Sequence, residues 1–475
     1  MITSPRLVVT VLVFFGLAAG PVARAQDVQQ QRYETLAKSL LKQGNVNRGV
    51  ASVIGADAPL VLELARNSEL LIHVRDANAT AVADLKSQLR KAGFGIDRVV
   101  VEHGATDTLP FADNMIDLVV ATQSGAGSAS PISMKEVVRA LRPAGRAIIG
   151  KALVNEGGDI DLEAFSKRAL EASAAHITTK KDLTGSWLMF EKAPLDGVDE
   201  WSHWEHSPDN NPVSTDTIIR APYMTQFLAD PKYIGMPSIT TAAGGRTFLA
   251  IGHISHHQRE WELLQRLIAR NGYNGQILWE RKLPESYLVH RSAFIATKDT
   301  FFLLEGASVL KLDPQTGEEQ GRIRIPDTGA DWKWMVKKGN VLFIMGGAKE
   351  RGTRVVRGDR EFGGWSWADL SPGYYGQYPY GFGKTLAAYD LVSDKVIWTH
   401  DEDGLIDSRS LALRDGKLYF MCQQQHLRAI SETNGEIVWT NSDKQLRDLI
   451  GHPGTGLTTT RVFNTMCLFR LLPAP

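Results

Sequence analysis

Four short stretches in the C-terminal half share one grammar. They are Asn271-Gly-Tyr-Asn-Gly-Gln-Ile-Leu-Trp279, Asp313-Pro-Gln-Thr-Gly-Glu-Glu-Gln-Gly321, Asp390-Leu-Val-Ser-Asp-Lys-Val-Ile-Trp398 and Ser431-Glu-Thr-Asn-Gly-Glu-Ile-Val-Trp439. Each opens on a residue whose side chain can cap a turn. Four residues later comes one that tolerates positive φ: Gly275, Gly317, Asp394 or Gly435. An apolar run then leaves the turn and ends on Trp279, Trp398 or Trp439, with Gly321 as the exception. A further apolar strand precedes each turn, at 247–251, 300–304, 340–344 and 417–421. The turn positions are spaced by about 42, 77 and 41 residues, and the long interval holds an insert from about 346 to 383. A period near 40 residues with several strands per unit predicts an all-β repeat fold of the propeller kind.

The pattern Ala-x-Asp-x-x-Thr-Gly-x-x-x-Trp, with Ala269, Ala388 and Ala429 two residues before the opener, resembles the repeat of pyrroloquinoline quinone (PQQ)-like β-propellers. Some members of that family are quinoprotein dehydrogenases and others are binding or scaffold proteins. The resemblance implies PQQ as a cofactor only where a catalytic Asp, Ca²⁺ ligands and quinone-sandwiching residues are present. None of these roles is assigned to a position here, Asp369 included, and there is no Cys-Cys pair. Four repeats predict a partial ring of a truncated chain, with open ends that self-associate.

The N-terminal half alternates differently. Strands are expected at 50–54, 70–74, 98–102, 116–121 and 146–149, with helices at 28–44, 60–66, 79–92 and 135–141 and a further edge strand at 187–190. This is the signature of a doubly wound α/β sheet. Leu109-Pro-Phe-Ala-Asp-Asn-Met-Ile-Asp-Leu-Val119 and Glu136-Val-Val-Arg-Ala-Leu-Arg-Pro-Ala-Gly145 resemble two stretches of class I methyltransferases that use S-adenosylmethionine (SAM). The resemblance covers residues 45–150 and implies a cofactor site at Gly55, Asp57 and Asp76, with Asp76 as the ribose-binding acid. The glycine-rich first motif departs from the family. Val53 stands for its acid, Asp57 and Pro59 for its second and third glycines, and Ala105 for the adenine-binding acid. Asp57 is expected to place a carboxylate in the cofactor's path, and Pro59 removes an N–H. SAM and PQQ thus enter by resemblance alone, and no cofactor is assigned outright.

Met1–Arg6, the apolar run Leu7–Gly20 and Ala23-Arg-Ala25 read as a signal peptide cut after Ala25, which predicts a secreted or periplasmic protein. The mature chain offers no apolar run long enough for a membrane span. Equal numbers of basic and acidic residues, 53 each, without a basic block, argue against nucleic acid as a partner. The expected layout is a signal peptide at 1–25, a methyltransferase-like Rossmann domain at 26–195, a junction at 196–214 and a partial PQQ-like propeller at 215–475.

Two further groups are candidates for binding. His253, His256 and His257 have donor types suited to Zn or Cu. Trp365, Trp367, Tyr374 and Tyr375, in the Gly-rich insert, could stack on a flat ligand or a protein on the propeller face. The two cysteines, Cys422 and Cys467, permit a disulfide and do not require one. The functional expectation is an exported binding or scaffolding protein with an inactive methyltransferase-like domain. The alternatives are a PQQ-type oxidoreductase and an active SAM-dependent methyltransferase.

Overall fold

The computed structural model describes residues 21–122, 133–154, 160–222, 224–232, 236–254, 258–284, 289, 293–324, 331–347, 355–357, 360–362, 382–422 and 425–450. The chain forms two units, Met1–Ala193 and Pro194–Pro475. The stretch 196–214, expected as a junction, therefore belongs to the second.

In the first unit, α1 (Pro21–Gly44) leads, beginning seven residues earlier than expected and running across the predicted cleavage point. β1 (Val50–Ile54), α2 (Ala58–Arg66), β2 (Leu71–Asp76), α3 (Ala79–Lys91), β3 (Val99–His103), β4 (Ile116–Ala121), α4 (Met134–Ala140), β5 (Leu141–Ala152), α5 (Leu162–Glu171), β6 (Ala174–Asp182) and β7 (Gly185–Lys192) follow. The sheet order is β3-β2-β1-β4-β5-β7-β6. β3, β2, β1, β4 and β5 are parallel, and β7 is antiparallel to both its neighbours.

Helices cover both faces. Leu36, Leu40, Leu60, Leu64, Val82 and Leu85 pack with Val53, Val74, Leu118 and Val120 on one side. On the other, Met134, Val137 and Ala169 pack with Ile54, Val119, Ile149 and Phe190. Burial from both sides explains why β4 reads from Leu118 to Ala121 as a continuous apolar run rather than an alternating one. The strand expected at the edge, 187–190, is internal. The polar β6 pairs outside it, and Trp187 is fully buried.

The two methyltransferase-like stretches lock onto one another. Glu136 of α4 accepts the Leu109 N–H at 2.8 Å. Arg139, one turn on, donates to Glu136, to Asp113 at 2.6 Å and to the Leu109 carbonyl at 3.2 Å.

The described strands of the second unit pair antiparallel throughout. β8 (Met236–Ala243), β9 (Arg246–Ile254), β10 (Arg266–Asn271) and β11 (Ile277–Lys282) make one four-stranded sheet. β12 (Phe294–Ala296), β13 (Phe301–Glu305), β14 (Ser308–Leu312) and β15 (Glu319–Arg324) make another. β16 (Asp331–Lys338) and β17 (Val341–Gly347) pair with β20 (Phe382–Asp390) and β21 (Lys395–Asp407), and the small hairpin β18 (Val355–Arg357)–β19 (Arg360–Phe362) lies between them in sequence. β22 (Ala412–Arg414), β23 (Lys417–Cys422), β24 (His426–Ser431) and β25 (Ile437–Asn441) continue that sheet through the single pair Ile406–Cys422. A short helix, α6 (Lys444–Ile450), follows.

The four turns are copies of one another. Gly275 N–H reaches Asn271 O at 2.9 Å, Gly317 reaches Asp313 at 2.8 Å, Asp394 reaches Asp390 at 3.0 Å and Gly435 reaches Ser431 at 3.0 Å. Each opener's side chain accepts an amide two residues on, from Tyr273, Gln315, Val392 or Thr433. Each repeat carries a register shift at the same place, after Ala269, Lys311, Ala388 and Ala429.

Candidate functional site

In the first unit β1 lies between β2 and β4, so the connections leaving β1 and β4 run to opposite sides. The crevice at the carboxyl ends of such strands is where a doubly wound sheet receives ligands. The expected residues Gly55, Asp57 and Asp76 all lie there, at the ends of β1 and β2.

Gly55 has φ +103°, a conformation open to glycine, and the position of a Cβ on it would meet no heavy atom within 4 Å. Its N–H donates to the Arg75 carbonyl at 2.9 Å. The next amide, Ala56, donates to Asp76 Oδ2 at 2.7 Å, and Asp76 Oδ1 accepts the Asn78 amide at 2.7 Å. Asp76 thus braces the turn after β1 and the start of α3.

Asp57 corrects an expectation. Its carboxylate does not stand in the open crevice: it is buried and caps α2, accepting the Leu60 amide at 3.4 Å. A carboxylate at N-cap satisfies an amide that the helix cannot, which is why this residue turns inward. Pro59 sits in the same first turn, where its missing N–H costs nothing. Tyr33 of α1 is the partner that the sequence did not disclose. Burial, then the charge of Asp57 and a hydrogen bond to it, push its hydroxyl up to about 12.

The far wall also differs from the family pattern. Arg75, directly before Asp76, donates through Nε to the Ala105 carbonyl at 2.6 Å and through Nη1 to Glu102 at 3.2 Å. His73 Nε2 lies 3.1 Å from the same Glu102 oxygen, and its hydrogen bond, with Arg75 contributing, holds that carboxyl below its usual range. Where the family carries an acid this chain has Ala105, its carbonyl already bound to a cation. Arg75 could have been singled out only by its place before Asp76.

The remaining candidates belong to the second unit. His253 lies on β9, with its side chain outside the described residues, and His256 and His257 lie outside them altogether, as do Trp365, Trp367, Tyr374, Tyr375, Asp369 and Cys467. Among the described residues no helix is long and apolar enough to cross a membrane.

A family profile described as "Methyltransferase domain" matches residues 54–149, from the end of β1 to β5. The N-terminal unit is therefore a methyltransferase-like Rossmann domain. Among solved structures, a putative SAM-dependent methyltransferase from Methanococcus maripaludis is 18% identical, covering 37% of this chain and 91% of its own, with a TM-score of 0.32. A putative sarcosine dimethylglycine methyltransferase from Galdieria sulphuraria is 17% identical, covering 38% and 92%, with a TM-score of 0.29. A SAM-dependent methyltransferase from Aquifex aeolicus is 15% identical, covering 35% and 95%, with a TM-score of 0.28. A search of curated proteins finds no match.

Proposed function

We propose that this is an exported binding or scaffolding protein. Its methyltransferase-like domain no longer transfers methyl groups, and its antiparallel repeats form a propeller-type binding module. The observation that carries the first part is the turn after β1. A glycine-rich turn serves a cofactor by leaving amides free and letting its backbone come close. Here Gly55 N–H is spent on Arg75, Ala56 on Asp76, Leu60 on Asp57 and Val61 on the Asp57 carbonyl, while Pro59 has no N–H. The four superimposable turns support the repeat module, and the matches above concern methyltransferases rather than quinoproteins.

A second reading, retained SAM binding, is favoured by the open space beside Gly55 and by Asp76 at the end of β2. Titration calorimetry of the full chain with SAM separates the two. The expected result is no saturable binding tighter than about 1 mM, roughly −4 kcal/mol. The double variant Asp57→Gly, Pro59→Gly is expected to tighten it. Low-micromolar binding by the unaltered chain would overturn the proposal in favour of the second reading. Export is checked on protein recovered from outside the cytoplasm, whose first residue is expected to be Gln26.

A further inference from the structure

A separate cluster lies where a strand of the third repeat meets the hairpin of the last. β21 places His400 and Glu402 on one face, two residues apart, as the period of a strand requires. β23 ends on Cys422, and β24 begins on His426, its register partner across the hairpin. The hairpin comes down directly on β21: a Cβ on Gly404 would lie 2.6 Å from the Gln425 side chain. The carboxylate of Glu402, the thiol of Cys422 and an imidazole nitrogen of His426 consequently offer ligand atoms within 4.8 Å of one another, and all three residues are buried.

We propose that Glu402, Cys422 and His426 form a binding site for one divalent ion of the zinc class. The donor set is sulfur, nitrogen and carboxylate oxygen, and three protein ligands leave a fourth position for water or a ligand. The polar contacts divide Glu402 in two. Oε1 accepts from Arg428 Nη1 and lies 2.8 Å from His400 Nε2, whose other nitrogen is 3.1 Å from the Gly435 carbonyl. These partners orient the carboxylate as outer-shell groups do around a metal. Oε2 faces inward, 3.3 Å from His426 Nε2. That nitrogen is buried, with the Glu402 carboxylate as its polar neighbour.

Burial, then the Arg428 charge, lowers the His426 pKa. Burial, then Glu402, pushes the Cys422 thiol up, so it carries its proton until an ion displaces it. Binding forms the metal–sulfur bond, breaks the S–H bond and releases that proton to solvent; nothing is oxidised.

The test uses the full, untagged chain carrying Cys467→Ser, so that Cys422 is the one thiol. Co²⁺ is titrated as the spectroscopic probe. The expected result is one ion per chain, with a thiolate-to-cobalt charge-transfer band in the near ultraviolet that Zn²⁺ abolishes by displacement, and release of one proton per ion. Cys422→Ser should remove the band. Glu402→Gln and His426→Gln should each weaken Co²⁺ binding at least about 10-fold, and Arg428→Gln should weaken it by about 10-fold through the outer shell. Tryptophan fluorescence confirms that each variant is folded, and an unfolded one is replaced by its alanine counterpart at the same position. Absence of the band at saturating Co²⁺, or a band that survives Cys422→Ser, would overturn the proposal.

Discussion

The repeat register comes down to pairs of residues. Trp279 packs against the next repeat's turn, where a Cβ on Gly317 would sit 2.6 Å from the indole, and its Nε1 donates to the Pro314 carbonyl at 3.2 Å. Trp398 does the same one pair later, against Gly435 and the Glu432 carbonyl at 3.0 Å. Within the strand pairs the small Ala269 and Ala388 stand opposite the two rings. Repeat two lacks the ring, and its neighbours change accordingly. Lys311 stands opposite Gly321, and the next turn position holds Asp394, which accepts a hydrogen bond from Tyr389. Glycine is thus kept where a ring lies over the turn, Phe227 at Gly275, Trp279 at Gly317 and Trp398 at Gly435, and a side chain returns at Asp394. Trp439 stands opposite Ala429 but is 39% exposed, beside Ile437 and Val438 at 52% and 48%. Trp279→Ala and Trp398→Ala are each expected to cost about 3–5 kcal/mol in denaturant unfolding, and Trp439→Ala clearly less. Equal losses at all three would show that the contact across the turn is not what stabilises them.

At the scale of elements, the stretch Asp199–Val213 is the least legible part of the fold. Its polar, turn-rich composition gives it the look of a linker. It instead ties together the β unit: Trp201 bridges to Ala242 of β8, the Ser202 carbonyl accepts Ala296 of β12, His203 Nε2 accepts the Lys337 amide of β16 at 3.1 Å, and the Pro208 carbonyl accepts Leu413 of β22. Those partners lie tens to hundreds of residues away, and no local periodicity reports them. The Rossmann strands were legible because their apolar runs record burial. The inward turn of Asp57 was not, because its cap and Tyr33 are tertiary partners. The segment also makes stability pH-dependent. Burial first, then the charges of Lys337 and His206, lowers His203 to about 3 from an ordinary 6.5. Between those values the unfolded chain binds the proton and the folded one does not. The contribution of neutral His203 is therefore complete above about pH 6.5 and lost as pH falls toward 3, with a slope of up to about 1.4 kcal/mol per pH unit. His203→Gln keeps an acceptor without that titration. The difference between wild-type and variant unfolding free energies should shrink as pH falls through this window. A difference independent of pH would rule out the burial of a neutral imidazole.

At the scale of the whole molecule, the two units keep separate cores and carry separate reporters. The clusters around Leu64 and Val119 draw on residues of the first unit, and those around Phe301 and Phe420 on residues of the second. The described helices α1–α5 belong to the first unit, whereas ten of the eleven tryptophans lie after residue 194, leaving Trp187 alone before it. Helical circular dichroism therefore follows the first unit, and tryptophan fluorescence chiefly the second. Leu64 is 1% exposed between α2 and the sheet, so Leu64→Ala removes buried methyl groups that the neighbouring Val53 and Leu60 cannot replace without moving. A cost of about 2–5 kcal/mol is expected, and for Phe420→Ala, fully buried in the last repeat, about 3–5 kcal/mol. If each unit unfolds as its own cooperative body, Leu64→Ala lowers the denaturant midpoint seen by circular dichroism and leaves the fluorescence midpoint in place, and Phe420→Ala does the reverse. Coincident shifts of both probes by either substitution would mean that the chain unfolds as one cooperative unit and that its two cores are energetically coupled.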